Sequence, residues 1–419
     1  MQRFIICKIV LIYFGLFCLS SCGQDIPSYE LPELLVSNNG DIIRNSEDWE
    51  NIRRPEILEL FEEHVYGEVP DKEIDISYNQ LKINENALEG EAIQKEVVVT
   101  FSNGKESLEM NMVIFLPKKV KKPVPVFLGM NFYGNQTIHP DTNITITQSY
   151  VKNNDDFLIN NNKATELSRG VRSHRWPIER ILERGYGVVS IYYGDIDPDY
   201  DDGFQNGIHK LFYGDNEQPK PNEWGSIAAW AYGLSKAMDY LAMDKDIDKN
   251  KVAVIGHSRL GKTALWAGAI DERFAITISN DSGCGGAALS RRKQGETVKK
   301  INTSFPHWFC KNFHLYNDKE EDLPVDQHML IGLIAPRPVY VASASEDQWA
   351  DPKGEYLSLY HSGEVYKLFG FEKFSSETMP EIDQSKTIGN MGYHIRSGKH
   401  DLTLFDWEKY MDFADVQFN

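Results

Sequence analysis

Short apolar runs, separated by stretches with helical periodicity, constrain the fold of this chain most strongly. The runs are rich in β-branched residues and are Val124–Leu128, Gly187–Ile191, Val252–Ile255, Ala275–Ile278 and Pro338–Ala342. Helices are predicted at Pro177–Arg184, Trp224–Leu241 and Lys262–Ile270. Because buried strands that alternate with helices form parallel βαβ units, the pattern predicts an α/β fold: a mostly parallel central sheet with helices on both faces, a three-layer sandwich.

Other segments predict what lies around this sheet. Residues 95–101 and Leu108–Phe115, joined by an Asn-Gly turn, predict an antiparallel hairpin at one edge. Arg53–Tyr66 has its apolar residues on one face and predicts a surface helix. The Asn-rich stretch Asp141–Arg172 has no clear period, and we expect a long surface excursion there, beside the functional site.

The N-terminus predicts export. The apolar run Ile9–Leu19 is too short to span a bilayer of about 30 Å as a helix, so residues 1–21 are interpreted as a signal peptide. It ends in Leu-Ser-Ser-Cys-Gly, which resembles the bacterial lipobox and predicts lipidation of Cys22. The chain would then be a lipoprotein of the periplasm or outer membrane. The alternative is a plain secretory signal with a chance cysteine.

The remaining chain is expected to contain one domain. Residues 22–45 are polar without a period and are predicted to form a tether, with a single domain over 46–419. An exported chain meets an oxidising compartment, so Cys284 and Cys310 could form a disulfide, the alternative being two buried thiols.

The charge balance limits the partners. Lys and Arg number 44 against 62 Asp and Glu, a net charge of −18. A charge of this sign repels nucleic acid and anionic lipid at long range, so no nucleic-acid partner is expected and the membrane contact would be the lipid anchor alone. We expect a monomer.

The main chemical motif is Gly256–Lys262, with the pattern G-x-S-x-x-G where a predicted strand meets a predicted helix. Such a strand-to-helix turn is typical of a nucleophile elbow, which lifts a serine to the carboxyl edge of the sheet. Leu260 stands where a second glycine is usual, so the alternative of a structural serine at Ser258 stays open.

An acid and a histidine follow the serine in the order expected for this fold. Asp347 lies in the loop after the last apolar run, and Asp281 follows the preceding run as a second candidate acid. Near the C-terminus, His400 follows a short strand and a glycine-containing turn and is the predicted base. His394 is interpreted as a packing or hydrogen-bonding residue.

These motifs together resemble the glucuronoyl esterases, carbohydrate esterase family 15, in their bacterial branch. The resemblance covers most of the chain beyond the signal peptide and implies an α/β-hydrolase fold. The segments that carry it are Gly256–Trp266, Asn280–Arg292, Phe305–Phe309, Asp347–Glu355 and Gly392–Trp407.

The resemblance implies roles for the catalytic candidates. Ser258 would be the nucleophile, His400 the base, and Asp347 or Asp281 the orienting acid. The fungal branch is expected to carry glutamate at 281, so Asp347 ranks first. Arg259 would meet the oxyanion through its backbone N–H and its guanidinium.

Three further residues are assigned to the sugar. Lys262 lies one helical turn beyond Ser258 and could reach sugar hydroxyls, unless it is a surface lysine. The family pattern adds Glu296, as an acceptor for hydroxyls, and Trp349, as a cover for a ring edge. Trp349 could equally belong to the core.

The resemblance also implies the reaction. Members hydrolyse the ester between 4-O-methyl-glucuronic acid side chains of glucuronoxylan and lignin alcohols, without a metal or organic cofactor. The same apparatus could instead act on another ester, such as the acetyl groups of xylan. A more distant alternative is a lipid-anchored glycan-binding protein with an inactive hydrolase fold.

Overall fold

The computed structural model describes residues 28–214 and 217–418. Their strands are β1 Asp75–Ala87, β2 Ala92–Ser102, β3 Ser107–Pro117, β4 Val124–Asn131, β5 Gly187–Tyr192, β6 Ile247–His257, β7 Ile276–Asn280, β8 Val339–Ala344, β9 Gln384–Ile388 and β10 Met391–Arg396. They form one sheet in the order β1-β2-β3-β5-β4-β6-β7-β8-β10-β9.

The helices of the described residues lie between and after these strands. They are α1 Ser46–Asp48, α2 Arg54–Phe61, α3 Ile178–Glu183, α4 His209–Phe212, α5 Ser226–Leu241, α6 Arg259–Ile270, α7 Val298–Ser304, α8 Gln327–Gly332, α9 Pro352–Leu368 and α10 Leu404–Gln417. The predicted helix at Arg53–Tyr66 forms as α2, with π-helical turns at Trp49–Arg53 and Glu62–Tyr66 on either side.

The centre of the sheet is parallel, as the sequence predicts. β5, β4, β6, β7, β8 and β10 pair in parallel in that order. β1, β2 and β3 form an antiparallel meander at one edge, and β9 pairs antiparallel with β10 at the other. The predicted α/β class is therefore confirmed.

Two apolar cores lie on the two faces of the sheet. Alternating residues of β6 divide between them: Val252 and Val254 join one core, Ala253 and Ile255 the other. Helices α5, α6, α8 and α9 cover the first face, and α3 and α10 cover the second. The sheet is thus enclosed between two helical layers, so its carboxyl edge, where loops emerge, is left for a site.

The segment before α1 differs from the predicted tether in its described part, residues 28–45. Leu34 and Ile43 are buried in the first core, and His328 hydrogen-bonds the carbonyl of Pro32 at 3.1 Å. Arg53 donates to the carbonyl of Leu34 as well. Scattered apolar residues and backbone carbonyls hold this segment against the domain, so the boundary predicted at residue 46 is corrected.

The two cysteines beyond the N-terminal segment are free and buried. The possible disulfide between Cys284 and Cys310 is therefore corrected to the alternative of two thiols. The Cys310 thiol lies 3.8 Å from the carbonyl oxygen of Glu63. Burial raises the pKa of Cys310 to about 12, and burial also raises the pKa of Cys284. Both are held as unreactive protonated thiols.

The predicted signal peptide, residues 1–21, and the lipidation candidate Cys22 lie outside the described residues. Within the described ranges, no helix combines the length and the apolar character that crossing a bilayer requires.

Candidate active site

All eight residues predicted for catalysis and sugar binding line one cavity of about 320 Å³. They come from separate parts of the chain and are Ser258, Arg259, Lys262, Asp281, Glu296, Asp347, Trp349 and His400. The loops after β6, β7, β8 and β10 supply most of them. A larger cavity of about 720 Å³, beside α3, contains none of them.

Ser258 lies on a strained turn between β6 and α6. Its backbone has φ 59° and ψ −131°, a region that costs an ordinary residue of order 1–3 kcal/mol and recurs at functional sites. A Cβ at Gly256 would lie 1.8 Å from the carbonyl oxygen of Leu260, so only glycine fits there. A Cβ at Gly261 would lie 2.9 Å from Cβ of Ser282. The second glycine of the motif is therefore needed at position 261, where helix α6 meets the loop after β7. Leu260, which stands where that glycine is usual, is a buried apolar residue.

His400 is paired with Asp347. Its Nδ1 lies 2.6 Å from Oδ2 of Asp347, whose side chain is 5 % exposed while that of His400 is 41 % exposed. An ionised carboxylate only accepts, so Nδ1 carries the proton and Nε2 keeps the lone pair that a general base needs. The ring of His400 also lies 4.5 Å from that of His257, the residue before Ser258. The acid ranked first in the sequence is the one that contacts the histidine.

Asp281 approaches the same histidine without a hydrogen bond to it. Side-chain atoms of Asp281, Asp347 and His400 all lie within 4.8 Å of one another. Two carboxylates and an imidazole could by residue type also coordinate a divalent cation. Oδ2 of Asp281 lies 3.5 Å from the guanidinium of Arg396, and Oδ1 is buried without a partner.

Burial raises the pKa of Asp281 well above its usual value, and the nearby Glu355 raises it further. Glu355 is itself fully buried, accepts from the backbone of Ser282 and Gly283, and has its pKa raised to about 8 by burial. Burial and mutual proximity thus favour the uncharged form of both carboxyls, and Asp347 is the carboxyl that is hydrogen-bonded to His400.

Arg259 opens helix α6 directly after the nucleophile. N–H groups in the first turn of a helix have no intrahelical partner, and the helix dipole places partial positive charge there. The backbone N–H is therefore without an intrahelical partner and the side chain lines the cavity, while contact of Arg259 with an oxyanion stays a prediction.

Lys262, Glu296 and Trp349 form one linked group. The ammonium of Lys262 donates to the carbonyls of Ser282 and Cys284, each at 2.6 Å, and to Oε2 of Glu296 at 2.8 Å. Its three protons are thus used within the protein, so a direct contact of Lys262 with a sugar hydroxyl stays a prediction.

The other oxygen of Glu296, Oε1, accepts from Nε1 of Trp349 at 3.3 Å. Trp349 is 54 % exposed, which excludes the alternative of a core residue. The indole lies at the cavity rim, and the carboxylate beneath it retains lone pairs for hydroxyl donors.

His394, which was interpreted as structural, and the two arginines that follow the Asp281 loop have structural contacts. His394 is fully buried, with Nε2 2.8 Å from Asp406 and Nδ1 3.1 Å from the hydroxyl of Tyr340. Arg291 and Arg292 pair with Asp326 and Asp351 at 3.5 and 2.7 Å. None of these three lines the cavity.

Three residues at the site were not predicted from the sequence. Phe305 and Trp308, with ring centroids 3.8 Å apart and nearly parallel planes, line the cavity. Asp199 binds the guanidinium of Arg259. Phe305 and Trp308 lie in the segment Phe305–Phe309, which carries part of the family resemblance. Asp199 follows the carboxyl end of the parallel strand β5, and this position is the one sequence signal that could have identified Asp199.

Comparisons with known proteins show which family this chain resembles. A family model described as glucuronyl esterase of fungi matches residues 182–370. A carbohydrate esterase, MZ0003, from an unknown prokaryotic organism is 53 % identical over 391 residues, covering 93 % of this chain and 90 % of that protein.

Solved structures give the same result. A promiscuous CE15 esterase from the marine bacterial metagenome superimposes with a TM-score of 0.88 at 53 % identity, covering 94 % of this chain and 98 % of the other. A glucuronoyl esterase from Solibacter usitatus superimposes with a TM-score of 0.87 at 42 % identity, covering 94 % and 100 %.

Proposed function

The chain belongs to the glucuronoyl esterases of carbohydrate esterase family 15 and is a carboxylic ester hydrolase, and from that premise we propose its substrate and mechanism. The substrate is the ester between 4-O-methyl-glucuronic acid side chains of glucuronoxylan and lignin alcohols. The observation that carries the proposal is the single cavity that joins the Asp347–His400 pair and Ser258 to the Lys262–Glu296 pair.

Catalysis is a two-step acyl transfer. Nε2 of His400 takes the proton from Oγ of Ser258 as Oγ bonds to the uronoyl carbonyl carbon, giving a tetrahedral oxyanion. The backbone N–H and guanidinium of Arg259 stabilise that oxyanion. As the carbon–oxygen bond to the alcohol breaks, His400 returns the proton to the departing oxygen. Water then repeats the sequence on the acyl-enzyme and releases the uronate.

The charges of the cavity suit this substrate. An esterified uronate is neutral, so the acidic protein does not repel it. The two cations at the cavity, Arg259 and Lys262, are paired with Asp199 and Glu296. Little unbalanced positive charge remains to retain the anionic product, which supports release.

A second candidate is the same triad acting on another ester, such as acetyl groups of xylan. The observation that favours it is the 53 % identity of this chain to a promiscuous CE15 esterase of solved structure. Parallel assays of methyl glucuronate esters and acetylated xylan separate the two functions.

The catalytic assignment is tested with Ser258→Ala. We expect it to abolish hydrolysis of benzyl glucuronate and labelling by a fluorophosphonate probe while the unfolding temperature is unchanged. Ser345→Ala, in the Asp347 loop but outside the cavity, is the matched control and should retain wild-type rates. Turnover retained by Ser258→Ala would contradict the nucleophile assignment, and a wild-type protein that neither labels nor hydrolyses would favour the glycan-binding alternative.

We infer from the sequence that the chain is exported, cleaved after residue 21 and lipidated at Cys22, with the rest forming one catalytic domain. The short apolar run and the lipobox-like ending support this. Incorporation of labelled palmitate in the wild type and its loss in Cys22→Ser are expected. Incorporation that persists in the variant would refute the anchor.

A further inference from the structure

The guanidinium of Arg259 is enclosed by aromatic rings. Its central carbon lies 4.8 Å from the ring centroid of Trp308, 5.5 Å from that of Phe305 and 5.6 Å from that of Phe132. These rings restrict the plane of the guanidinium and attract its charge. They do not fix which nitrogen faces the reacting ester, because rings impose no directional hydrogen bond.

Asp199 supplies that direction. Its carboxylate, 6 % exposed, accepts from Nη1 of Arg259 and from the hydroxyl of Tyr193 at 3.0 Å through Oδ2. Oδ1 accepts from Nε1 of Trp308 at 2.7 Å and from Nε2 of His307 at 3.0 Å. Four donors therefore hold one buried carboxylate in a fixed position and orientation.

The charge state follows from these contacts. Burial alone would raise the pKa of Asp199, but Arg259 and the hydrogen bonds from His307 and Trp308 bring the pKa below its usual value. The carboxylate is therefore ionised throughout the range in which an esterase works, and it is a permanent partner for the guanidinium.

The Nε donor of Arg259 is buried and has no hydrogen-bond partner among the described residues, although Arg259 lines the cavity beside Ser258. A buried N–H without a partner is costly unless something else uses it. An oxyanion formed on the carbonyl attached to Oγ of Ser258, in the same cavity, has the charge that such a donor binds.

We propose that Asp199 is a positioning residue, which holds Nη1 of Arg259 so that the free Nε–H is directed to the oxyanion. This rests on the proposed acyl transfer at Ser258. Asp199 itself does not touch the substrate and acts only through Arg259. Losing an oxyanion donor typically costs about 10²–10³ in turnover. Loss of its anchor should cost about 10–10², because the aromatic rings still retain the side chain.

The test uses Asp199→Asn, with Asp197→Asn as matched control. Asp197 is a buried carboxylate two residues away that accepts from Ser226 at 2.5 Å and pairs with His209 at 3.1 Å, without contact to Arg259. The readouts are kcat/KM for benzyl glucuronate, the rate of Ser258 phosphonylation by a fluorophosphonate, and the unfolding temperature. Each substitution is made in the wild type and in Arg259→Lys, which keeps the charge but lacks Nε–H.

We expect Asp199→Asn to slow both reactions about tenfold or more in the wild type and by less than threefold in Arg259→Lys. Asp197→Asn should have the same small effect in both backgrounds. Tyr193→Phe removes one of the four donors while keeping the carboxylate, and it should show a weaker loss that also disappears in Arg259→Lys. Tyr193→Phe therefore tests the proposal if Asp199→Asn does not fold.

Several results would overturn the proposal: wild-type rates in Asp199→Asn, an equal loss in both backgrounds, or a loss that only tracks the unfolding temperature. If the wild type is phosphonylated but does not hydrolyse uronate esters, the proposed substrate is wrong. The phosphonylation rates of the variants then still test the role of Asp199. If Ser258 is not phosphonylated in the wild type, both proposals fail.

Discussion

Replacing Asp347 with asparagine should impair catalysis far more than the same change at Asp281. Both carboxyls lie near His400, but only Asp347 is hydrogen-bonded to it, at 2.6 Å. Asparagine preserves the shape at 347 and removes the charge that stabilises the imidazolium formed when His400 takes the serine proton.

The size of the effect follows from that pair. Unit charges about 4 Å apart interact by about 4 kcal/mol at an effective dielectric constant of about 20. Since each 1.36 kcal/mol corresponds to about tenfold in rate, this gives about 10³. His400 is 41 % exposed, so water screens the pair and the figure is an upper value. We expect Asp347→Asn to lower kcat by about 10²–10³.

Asp281→Asn should lower kcat by less than about tenfold. Burial and Glu355 raise the pKa of Asp281, so this carboxyl contributes little negative charge to the imidazolium near neutral pH. Asp281 also makes no hydrogen bond to His400; its Oδ2 lies 3.5 Å from the guanidinium of Arg396.

The assay is single-turnover hydrolysis of benzyl glucuronate by the two variants, with unfolding temperatures measured alongside. Asp351→Asn is the matched control, because Asp351 lies in the same loop as Asp347 but pairs with Arg292 at 2.7 Å, away from the cavity. The reasoning is refuted if Asp281→Asn loses 10² or more while Asp347→Asn stays within tenfold of the wild type.

The remaining predictions concern stability and the thiols. Glu355→Gln should flatten the pH dependence of the unfolding temperature. The pKa of Glu355 is about 8 in the folded protein and 4.5 ordinarily, so between these two pH values the folded wild type binds a proton that the unfolded chain does not. The wild type therefore loses stability as the pH rises through this window, and the glutamine variant should not. A variant that keeps the wild-type slope would contradict this. Gly256→Ala should abolish activity and lower the unfolding temperature, because its Cβ would overlap the carbonyl of Leu260; a folded, active variant would show that the turn can relax. Peptides containing Cys284 and Cys310 should be alkylated in denaturant without prior reduction, and a disulfide-linked peptide in the mass spectrum would refute the free thiols.

The parallel sheet could be predicted because its strands are nearly continuous apolar runs, a pattern that burial on both faces imposes. The nucleophile elbow was also predictable, although its second glycine, Gly261, lies one residue later than in the usual G-x-S-x-G pattern. The requirement at 261 comes from Ser282, which is close in space and not in sequence. A motif template based on neighbouring residues cannot contain that contact.

What the sequence did not predict depends on tertiary contacts. Asp199 lies in an acidic run, and nothing local distinguishes it from its neighbours until Arg259, 60 residues away, binds it. The three partners of the Lys262 ammonium, two backbone carbonyls and Glu296, lie 20 or more residues away and could not be predicted from the sequence around Lys262. The packed segment before α1 was interpreted as a tether because its two buried apolar side chains, Leu34 and Ile43, are too few to give a periodic signal.

That segment decides where a shortened recombinant chain can begin. Leu34 packs beside Gly332: a Cβ at Gly332 would lie 3.4 Å from the side chains of Leu34 and Val365 and 3.6 Å from that of Trp49. A protein started at residue 46 would uncover this patch and leave His328 without its carbonyl acceptor. A shortened recombinant chain should therefore begin before Pro32, so that the enzyme keeps the segment that packs against its first core.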